Sequence, residues 1–125
     1  PCVACNQECI GRLFAQRDIG CTVNPAVGRE RAFAKPTTKP QRVMVIGGGP
    51  AGLEAAIVAA TRGHSVTLYE QGAALGGQLH PAAVTPFRAD WGLLRDALVR
   101  AVRRLKVDVR LGSPCTPESI PAGTY

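Results

Sequence analysis

The clearest regularity of the chain is the hydrophobic spacing of its central and C-terminal parts. Residues 43–46 form a short apolar run that is typical of a buried strand. The alanine-rich stretch 50–62 predicts a helix, because a proline lies in its first turn and a glycine follows its end. Residues 65–69, "SVTLY", predict a second strand.

Further along, residues 88–106 carry one apolar stripe and predict a second helix. The stripe recurs at spacings of 3, 4, 4 and 3 residues, at Trp91, Leu94, Leu98, Val102 and Leu105. Residues 107–111 alternate apolar and charged side chains, which predicts a third strand at a sheet edge. Between these elements, residues 71–87 are rich in glycine and proline and are expected to form a loop. The alternation predicts an α/β fold, a partial doubly wound parallel sheet of the Rossmann-like type.

The first 34 residues lack this regularity. Four of the five cysteines lie within the first 21 residues, at Cys2, Cys5, Cys9 and Cys21. Residues 35–41 combine prolines, threonines and lysine with no apolar period, and so predict a linker. We therefore expect a cysteine-rich segment (1–34), a linker (35–41) and the N-terminal part of an α/β domain (42–125), together a piece of a longer polypeptide.

Composition and charge exclude some classes of function. The net charge of +6 comes largely from arginines on the polar face of the second predicted helix, and aromatic residues make up only 5% of the chain, so we expect no nucleic-acid partner. No apolar stretch approaches the roughly 18 residues of a membrane span, and no secretion signal is visible, so we expect a cytoplasmic protein without a membrane partner. In that compartment, clustered cysteines favour metal or redox chemistry over disulfides.

A glycine-rich motif marks the junction of the first strand and the first helix. "VMVIGGGPAG" contains G-x-G-x-x-G at Gly47, Gly49 and Gly52. Gly47 permits a tight turn, Gly49 lets the backbone approach a pyrophosphate, and Gly52 lets the helix pack closely on the strand. In this context the motif predicts a dinucleotide site with the phosphates at the N-terminus of the helix.

An acid follows at the end of the second strand. Glu70 lies 18 residues after Gly52, where a carboxylate can accept hydrogen bonds from ribose hydroxyls. The motif does not distinguish FAD from NAD, so an NAD-dependent dehydrogenase stays open. The glycine pair Gly76–Gly77 in "EQGAALGGQL" resembles FAD-binding flavoproteins with two dinucleotide domains, in which this loop returns over the pyrophosphate.

The four clustered cysteines have the spacing C-x2-C-x3-C-x11-C. Zinc sites usually show two close pairs, whereas this spacing has one distant thiol. Four thiolates suit an iron–sulfur cluster, although the spacing matches neither common ferredoxin pattern. Both metals stay open at this point. Cys115 lies far from the others and is interpreted as an ordinary loop thiol.

Four stretches together, "CVACNQECIGRLF", "CTVNPAVGRE", "VMVIGGGPAGLEAA" and "GGQL", resemble the multidomain NADH:flavin oxidoreductases. These old-yellow-enzyme relatives include 2,4-dienoyl-CoA reductase and trimethylamine dehydrogenase. The resemblance implies a [4Fe–4S] cluster on Cys2, Cys5, Cys9 and Cys21, and FAD, or ADP in some members, in the following domain. It also implies a barrel domain, absent from this sequence, that carries FMN and the substrate site.

The resemblance also assigns cofactor contacts residue by residue. It places the backbone around Ala51 at the pyrophosphate, Gln78 at FAD, and the main chain near Cys115 at the adenine. Arg88 falls where some relatives have a basic residue near the cofactor, and a solvated residue at a helix start is the alternative. The cofactor-binding residues so implied are Gly47, Gly49, Pro50, Ala51, Gly52, Glu70, Gln71, Gly77, Gln78, Arg88 and Cys115.

By resemblance, the intact enzyme would relay electrons between FAD and FMN through the cluster, with NAD(P)H and a small-molecule substrate as partners. The alternative is a nucleotide-binding module with a structural zinc knuckle and no redox role. The piece alone is expected to be inactive. It is also expected to self-associate, because an unpaired apolar edge strand at 43–46 is a template for pairing.

Overall fold

The N-terminal part of the chain contains only short elements. The structure, a computed structural model that describes residues 2–120, has a π-helical turn at Gln7–Gly11, which continues into α1, Arg12–Phe14, and it has α2 at Glu30–Ala34. Val3 is the one buried hydrophobic residue described among positions 2–34. The prediction of short helical pieces is confirmed here. Residues 121–125, which end the predicted 42–125 domain, lie outside the described residues.

The rest of the chain alternates strands and helices, as predicted. The elements are β1 (Arg42–Ile46), α3 (Pro50–Thr61), β2 (Ser65–Tyr69), α4 (Leu79–Val84), α5 (Asp90–Arg104) and β3 (Asp108–Arg110), with a 3-10 turn at Pro117–Ser119. Each predicted strand and helix is found within two residues of its expected bounds. Among residues 2–120, none of the helices has both the length and the apolar character needed to cross a membrane.

The three strands form one parallel sheet in the order β1-β2-β3. Val43 pairs with Val66 and Val45 with Leu68, and Leu68 in turn pairs with Val109. Within the described residues β1 and β3 are therefore the two edges of the sheet, which confirms the predicted edge positions. The self-association expected from the β1 edge stays a prediction.

The core lies between one face of the sheet and the two long helices. Its fully buried side chains are Leu53 of α3, Leu68 of β2 and Val102 of α5. Burying such a side chain stabilises the fold by roughly 1.5–3 kcal/mol. The predicted stripe of α5 is confirmed, because Leu94, Leu98 and Val102 are its buried residues. The residues that end the stripe are only partly buried.

One prediction for this region is wrong. Residues 71–87 were expected to form a loop, yet they contain α4, whose first residue, Leu79, is 3% exposed and packs against the core. Pro81 does not prevent this helix because it lies in the first turn, where a backbone N–H has no partner within the helix. Burial of Leu79 and contact with α5 thus outweigh the local glycine and proline signal.

The predicted linker contains neither helix nor strand, but hydrogen bonds attach it to the body of the fold. The N–H of Thr37 donates to the carbonyl oxygen of Arg62 at 2.8 Å. The N–H of Gln41 donates to Nδ1 of His64 at 3.2 Å, and the carbonyl oxygen of Gln41 accepts from Ser65 at 2.9 Å. The linker is therefore held along the end of α3 and the start of β2.

Candidate functional site

The candidate nucleotide site lies where the three parallel strands end. The N–H of Gly47, after β1, donates to the carbonyl oxygen of Tyr69 at 2.7 Å. The N–H of Glu70, after β2, donates to Arg110 at 2.8 Å, and Ser113, after β3, donates back to the carbonyl oxygen of Glu70 at 2.9 Å. Backbone bonds thus join the three chain segments at the edge of the sheet where open α/β folds bind ligands.

The glycine-rich turn after β1 is closed on one side and open on the other. Gly47 has φ +96°, a conformation that favours glycine. A Cβ at Gly52 would overlap the carbonyl oxygen of Gly47, so the missing side chain lets α3 pack against the turn. A Cβ at Gly49 would meet no atom within 4 Å, so the backbone there borders open space. This asymmetry leaves room for a ligand beside Gly49.

Glu70 is held at this turn by two backbone amides. Its Oε2 accepts from the N–H of Gly48 at 2.6 Å, and its Oε1 accepts from the N–H of Gly72 at 2.6 Å. Both are short, charge-assisted hydrogen bonds, which fix the carboxylate in position. Each carboxylate oxygen has further lone-pair capacity. Glu70 can therefore still accept a hydrogen bond from a ligand hydroxyl.

The second glycine pair lies across the same turn. The N–H of Gly76 donates to the carbonyl oxygen of Gly48 at 2.8 Å. Gly76 and Gly77 have φ values of +123° and +48°, and a Cβ at Gly77 would lie 2.9 Å from Cα of Gly49. A larger residue at either position would push this loop away from the turn.

The remaining predicted cofactor residues surround this arrangement less tightly. Pro50 and Ala51 begin α3 and are exposed, and so are Gln71 and Gln78 in the loop. Arg88 is exposed two residues before α5. The Sγ of Cys115 is partly buried and lies 3.9 Å from the carbonyl oxygen of Ser113. The cofactor roles assigned to all these residues stay predictions.

Sequence reasoning missed three residues that shape the site. Gly48 and Gly72 donate their amides to Glu70, and His80 contacts the second glycine pair. The run of three glycines at 47–49 was a signal for Gly48, because a buried glycine between two functional ones implies close backbone packing. His80 carries no local signal, since its contacts depend on how α4 packs on α5.

The four clustered cysteines are free thiols. The N–H of Ala4 donates to Sγ of Cys2 at 3.3 Å, and Sγ of Cys5 lies 3.4 Å from Oγ1 of Thr22. The hydrogen bond with Thr22 is the main cause that lowers the pKa of the Cys5 thiol below its usual value. Within residues 2–120, no group of three or more His, Cys, Asp or Glu side chains is arranged to hold a metal ion. The structure therefore does not bring the predicted ligands together.

The cysteine-rich segment packs directly on the nucleotide-binding fold. Val3 belongs to the core cluster, and Cys5 and Val23 pack against it. A cavity of about 260 Å³ separates Thr22, Val23 and Pro25 from residues of α3 and α5, namely Pro50, Ala51, Glu54, Leu94 and Leu98. Partial burial raises the pKa of Glu54. The segment thus contacts the same helix whose N-terminus faces the glycine-rich turn.

Comparison with known proteins adds independent information. The profile of the family described as FAD dependent oxidoreductase matches residues 42–119. A metal reductase of Desulforamulus reducens is 46% identical over 121 residues, which are 96% of this chain and 18% of that protein. An NADH oxidase of Thermoanaerobacter brockii is 45% identical over 124 residues, 97% of this chain and 19% of that protein.

Solved structures agree with these matches. A 2-naphthoyl-CoA reductase in complex with 2-naphthoyl-CoA superposes with a TM-score of 0.87 at 36% identity, over 95% of this chain and 18% of that one. The chain thus spans less than a fifth of the length of each of these three proteins.

Proposed function

Because the chain belongs to the family of FAD dependent oxidoreductases, we propose that it supplies the ADP-binding turn for FAD and the ligands of a [4Fe–4S] cluster in a larger electron-transferring enzyme. Its relatives are flavin oxidoreductases of the 2,4-dienoyl-CoA reductase, trimethylamine dehydrogenase and old-yellow-enzyme type, so the family named by resemblance is confirmed. The cofactor residues and the cluster are the proposal.

One observation carries the nucleotide part: Gly49 borders open space while Gly52 is closed against Gly47. The first-turn amides of α3 have no partners within the helix, and they carry a partial positive charge that suits a pyrophosphate. Glu70, fixed by Gly48, is available to the ribose hydroxyls. This chain's residues would bind and orient the ADP part of FAD. The bound flavin would supply the redox chemistry itself.

The cluster part is supported by the chemistry of the donors. Cys2, Cys5, Cys9 and Cys21 are four soft ligands on one short segment, and none is used in a disulfide. With Val3 as the one buried hydrophobic residue described in the segment, its backbone has few packing contacts that would oppose ligation. The N–H of Ala4 and the hydroxyl of Thr22 are placed to donate to sulfur, the kind of hydrogen bond that tunes such a centre.

The activity of the whole enzyme is a further part of the proposal. The NADH oxidase relative supports a nicotinamide donor, and the named reductases support a small-molecule acceptor. We propose that the cluster passes single electrons between FAD and an FMN held by a barrel domain outside this chain. The packing of the cysteine-rich segment on α3 supports a short path between the cluster and the flavin site.

The nucleotide site is tested by FAD titration of the apo-enzyme that contains this chain. Glu70→Ala should weaken binding by roughly 1.5–3 kcal/mol, because it removes a charge-assisted hydrogen bond. Gly49→Val should abolish binding by filling the open space. Glu118→Gln, an exposed carboxylate in the 3-10 turn, is the matched control and should bind normally. Unchanged affinity in both site variants would place the nucleotide elsewhere.

The cluster is tested by iron, acid-labile sulfide and zinc assays on protein purified without oxygen. Cys9→Ser should lose iron and sulfide, whereas Cys115→Ser, the matched control, should keep both. FAD should still bind to the Cys9→Ser enzyme and be reduced, while stopped-flow transfer from FAD to FMN should stall. Zinc in the parent protein would instead support the structural knuckle. Undiminished transfer in an iron-free Cys9→Ser enzyme would contradict the relay.

A further inference from the structure

The loop that carries the second glycine pair is contacted from behind by two side chains of other elements. His80 lies in α4 and Arg95 in α5, 15 residues apart in sequence. A Cβ at Gly76 would lie 2.8 Å from Cγ of Arg95 and 3.0 Å from Nε2 of His80. Both side chains are therefore already in close contact with the backbone of Gly76.

The hydrogen bonds of His80 define its protonation state. Nε2 lies 2.9 Å from the carbonyl oxygen of Leu75, which can only accept, so Nε2 must be the donor. Nδ1 lies 3.3 Å from the guanidinium of Arg95, which can only donate, so Nδ1 must be the acceptor. The ring is thus a neutral imidazole that connects Arg95 to the residue before Gly76.

Arg95 is in turn oriented by its neighbour. Its guanidinium pairs with the carboxylate of Asp96 at 2.8 Å, and the Arg95 side chain is only 28% exposed. A single line of polar contacts therefore runs from Asp96 through Arg95 and His80 to Leu75. The next residue, Gly76, donates its N–H to Gly48 in the phosphate-binding turn.

We propose that His80 and Arg95 are positioning residues that hold the Gly76–Gly77 loop over the Gly47–Gly49 turn, and thereby set the affinity for the dinucleotide. This pair is called the loop brace below. The identity of the ligand rests on the proposed function, but the brace itself rests on the contacts just described. Neither residue needs to touch the cofactor. The brace acts because Gly77 lies directly against Gly49, so a displaced loop changes the space beside Gly49.

The test compares variants of the whole enzyme that contains this chain, with and without FAD. His80→Leu and Arg95→Met should each weaken FAD binding about tenfold, since the loss of a hydrogen bond to a charged group is of that order. The double variant should bind hardly more weakly than either single variant, because both belong to one brace. Arg100→Met, an exposed arginine on the same helix, is the matched control and should bind like the parent.

Two conservative variants separate positioning from general destabilisation. His80→Gln keeps one donor and one acceptor and should restore most of the affinity lost in His80→Leu. Asp96→Asn weakens the orientation of Arg95 without touching the loop and should lower affinity about threefold, the smaller loss expected of a partly exposed ion pair. If His80→Leu does not fold, these two variants still decide the matter. No rescue in the first and no loss in the second would overturn the brace.

Hydrogen exchange of the apo-enzyme is independent of the ligand. The amide of Gly76 should exchange about tenfold faster in His80→Leu than in the parent, because its bond to Gly48 opens more often. If the parent fails to bind FAD, the proposed function fails, and this exchange result still tests the brace. If FAD binds but neither its affinity nor the exchange of Gly76 changes in the variants, the brace is wrong and the proposed function stands.

Discussion

The cysteine-rich segment, residues 2–34, and the sheet region, residues 42–116, differ in what stabilises them. The sheet region has a continuous core in which Leu53, Leu68 and Val102 are fully buried. The segment contributes Val3 to that core, while several of its large hydrophobic residues are more than 40% exposed: Ile10, Leu13, Phe14 and Ile19. Packing thus specifies the sheet region, whereas the segment needs another source of stability.

Backbone conformation shows the same difference. In the segment, the non-glycine residues Ala4, Asn6 and Gln16 have positive φ values of 50°, 54° and 52°. Such conformations cost on the order of 1 kcal/mol or more per residue and persist only where the surroundings enforce them. In the sheet region most positive φ values fall on glycines, where this cost is absent. Ligation by the thiols would offset the strain in the segment, which is consistent with the proposed cluster.

The largest effect is expected from a core truncation. Leu53→Ala should lower the free energy of unfolding by about 2–5 kcal/mol, because it removes a fully buried side chain and leaves a cavity. Phe14→Ala, in which an 84% exposed side chain of the segment is removed, should change it by less than about 0.5 kcal/mol. Denaturant unfolding followed by circular dichroism measures both. Equal effects would remove the distinction between the two regions.

The next largest effect separates folding from binding within the sheet region. Gly52→Ala should destabilise the fold by about 1–3 kcal/mol, because its Cβ overlaps the carbonyl oxygen of Gly47. Gly49→Ala should leave stability nearly unchanged, since its Cβ meets no atom within 4 Å, but it should weaken FAD binding. Thermal unfolding and FAD titration of both variants check this. A stable Gly52→Ala protein with normal binding would contradict the close packing of α3.

The same contrast explains how much of the fold followed from the sequence. The stripe at Leu94, Leu98 and Val102 and the short run at 43–46 predicted α5 and β1, because burial on one face imposes a period that any reader can count. α4 could not be predicted in this way. Its six residues are too few for a period, and the contact of Leu79 with the core is a tertiary effect.

The candidate site divides along similar lines. The spacing of Gly47, Gly49 and Gly52 predicted the turn, because the motif reports local backbone geometry. The amides that hold Glu70 and the contact of His80 with Arg95 come from residues 22, 2 and 15 positions apart, and no local pattern encodes them. For the cysteines, spacing identifies suitable donors, but it does not show how they would be assembled.

A smaller and opposite effect is expected in α5. Gly92→Ala should raise the free energy of unfolding by about 0.5–1 kcal/mol, because alanine costs less than glycine inside a helix. The new Cβ would lie 3.5 Å from Cβ of Ala83 in α4, an ordinary contact. The result sharpens the comparison, since the sheet region should gain stability from propensity alone wherever packing leaves room. A destabilised Gly92→Ala protein would show that α4 and α5 pack more tightly than this distance indicates.

The smallest effect is expected at Glu54, which lies at the cavity between the two regions. Burial raises the pKa of its carboxyl above the ordinary value of 4.5, so the folded state favours the protonated form. The ionised form therefore costs stability at neutral pH, and this cost disappears as the pH falls through the raised pKa and below 4.5. Glu54→Gln should raise the melting temperature slightly at pH 7 and leave it unchanged in acid. Glu118→Gln is the control of opposite sign, because a hydrogen bond with Thr116 lowers the pKa of Glu118, so its ionised form stabilises the fold above 4.5 and that contribution is lost as the pH falls. Melting curves of both variants against pH would decide the point. If Glu54→Gln gave no gain at pH 7, the carboxylate would be solvated and the segment would pack more loosely on α3 than the contacts of Val3, Cys5 and Val23 indicate.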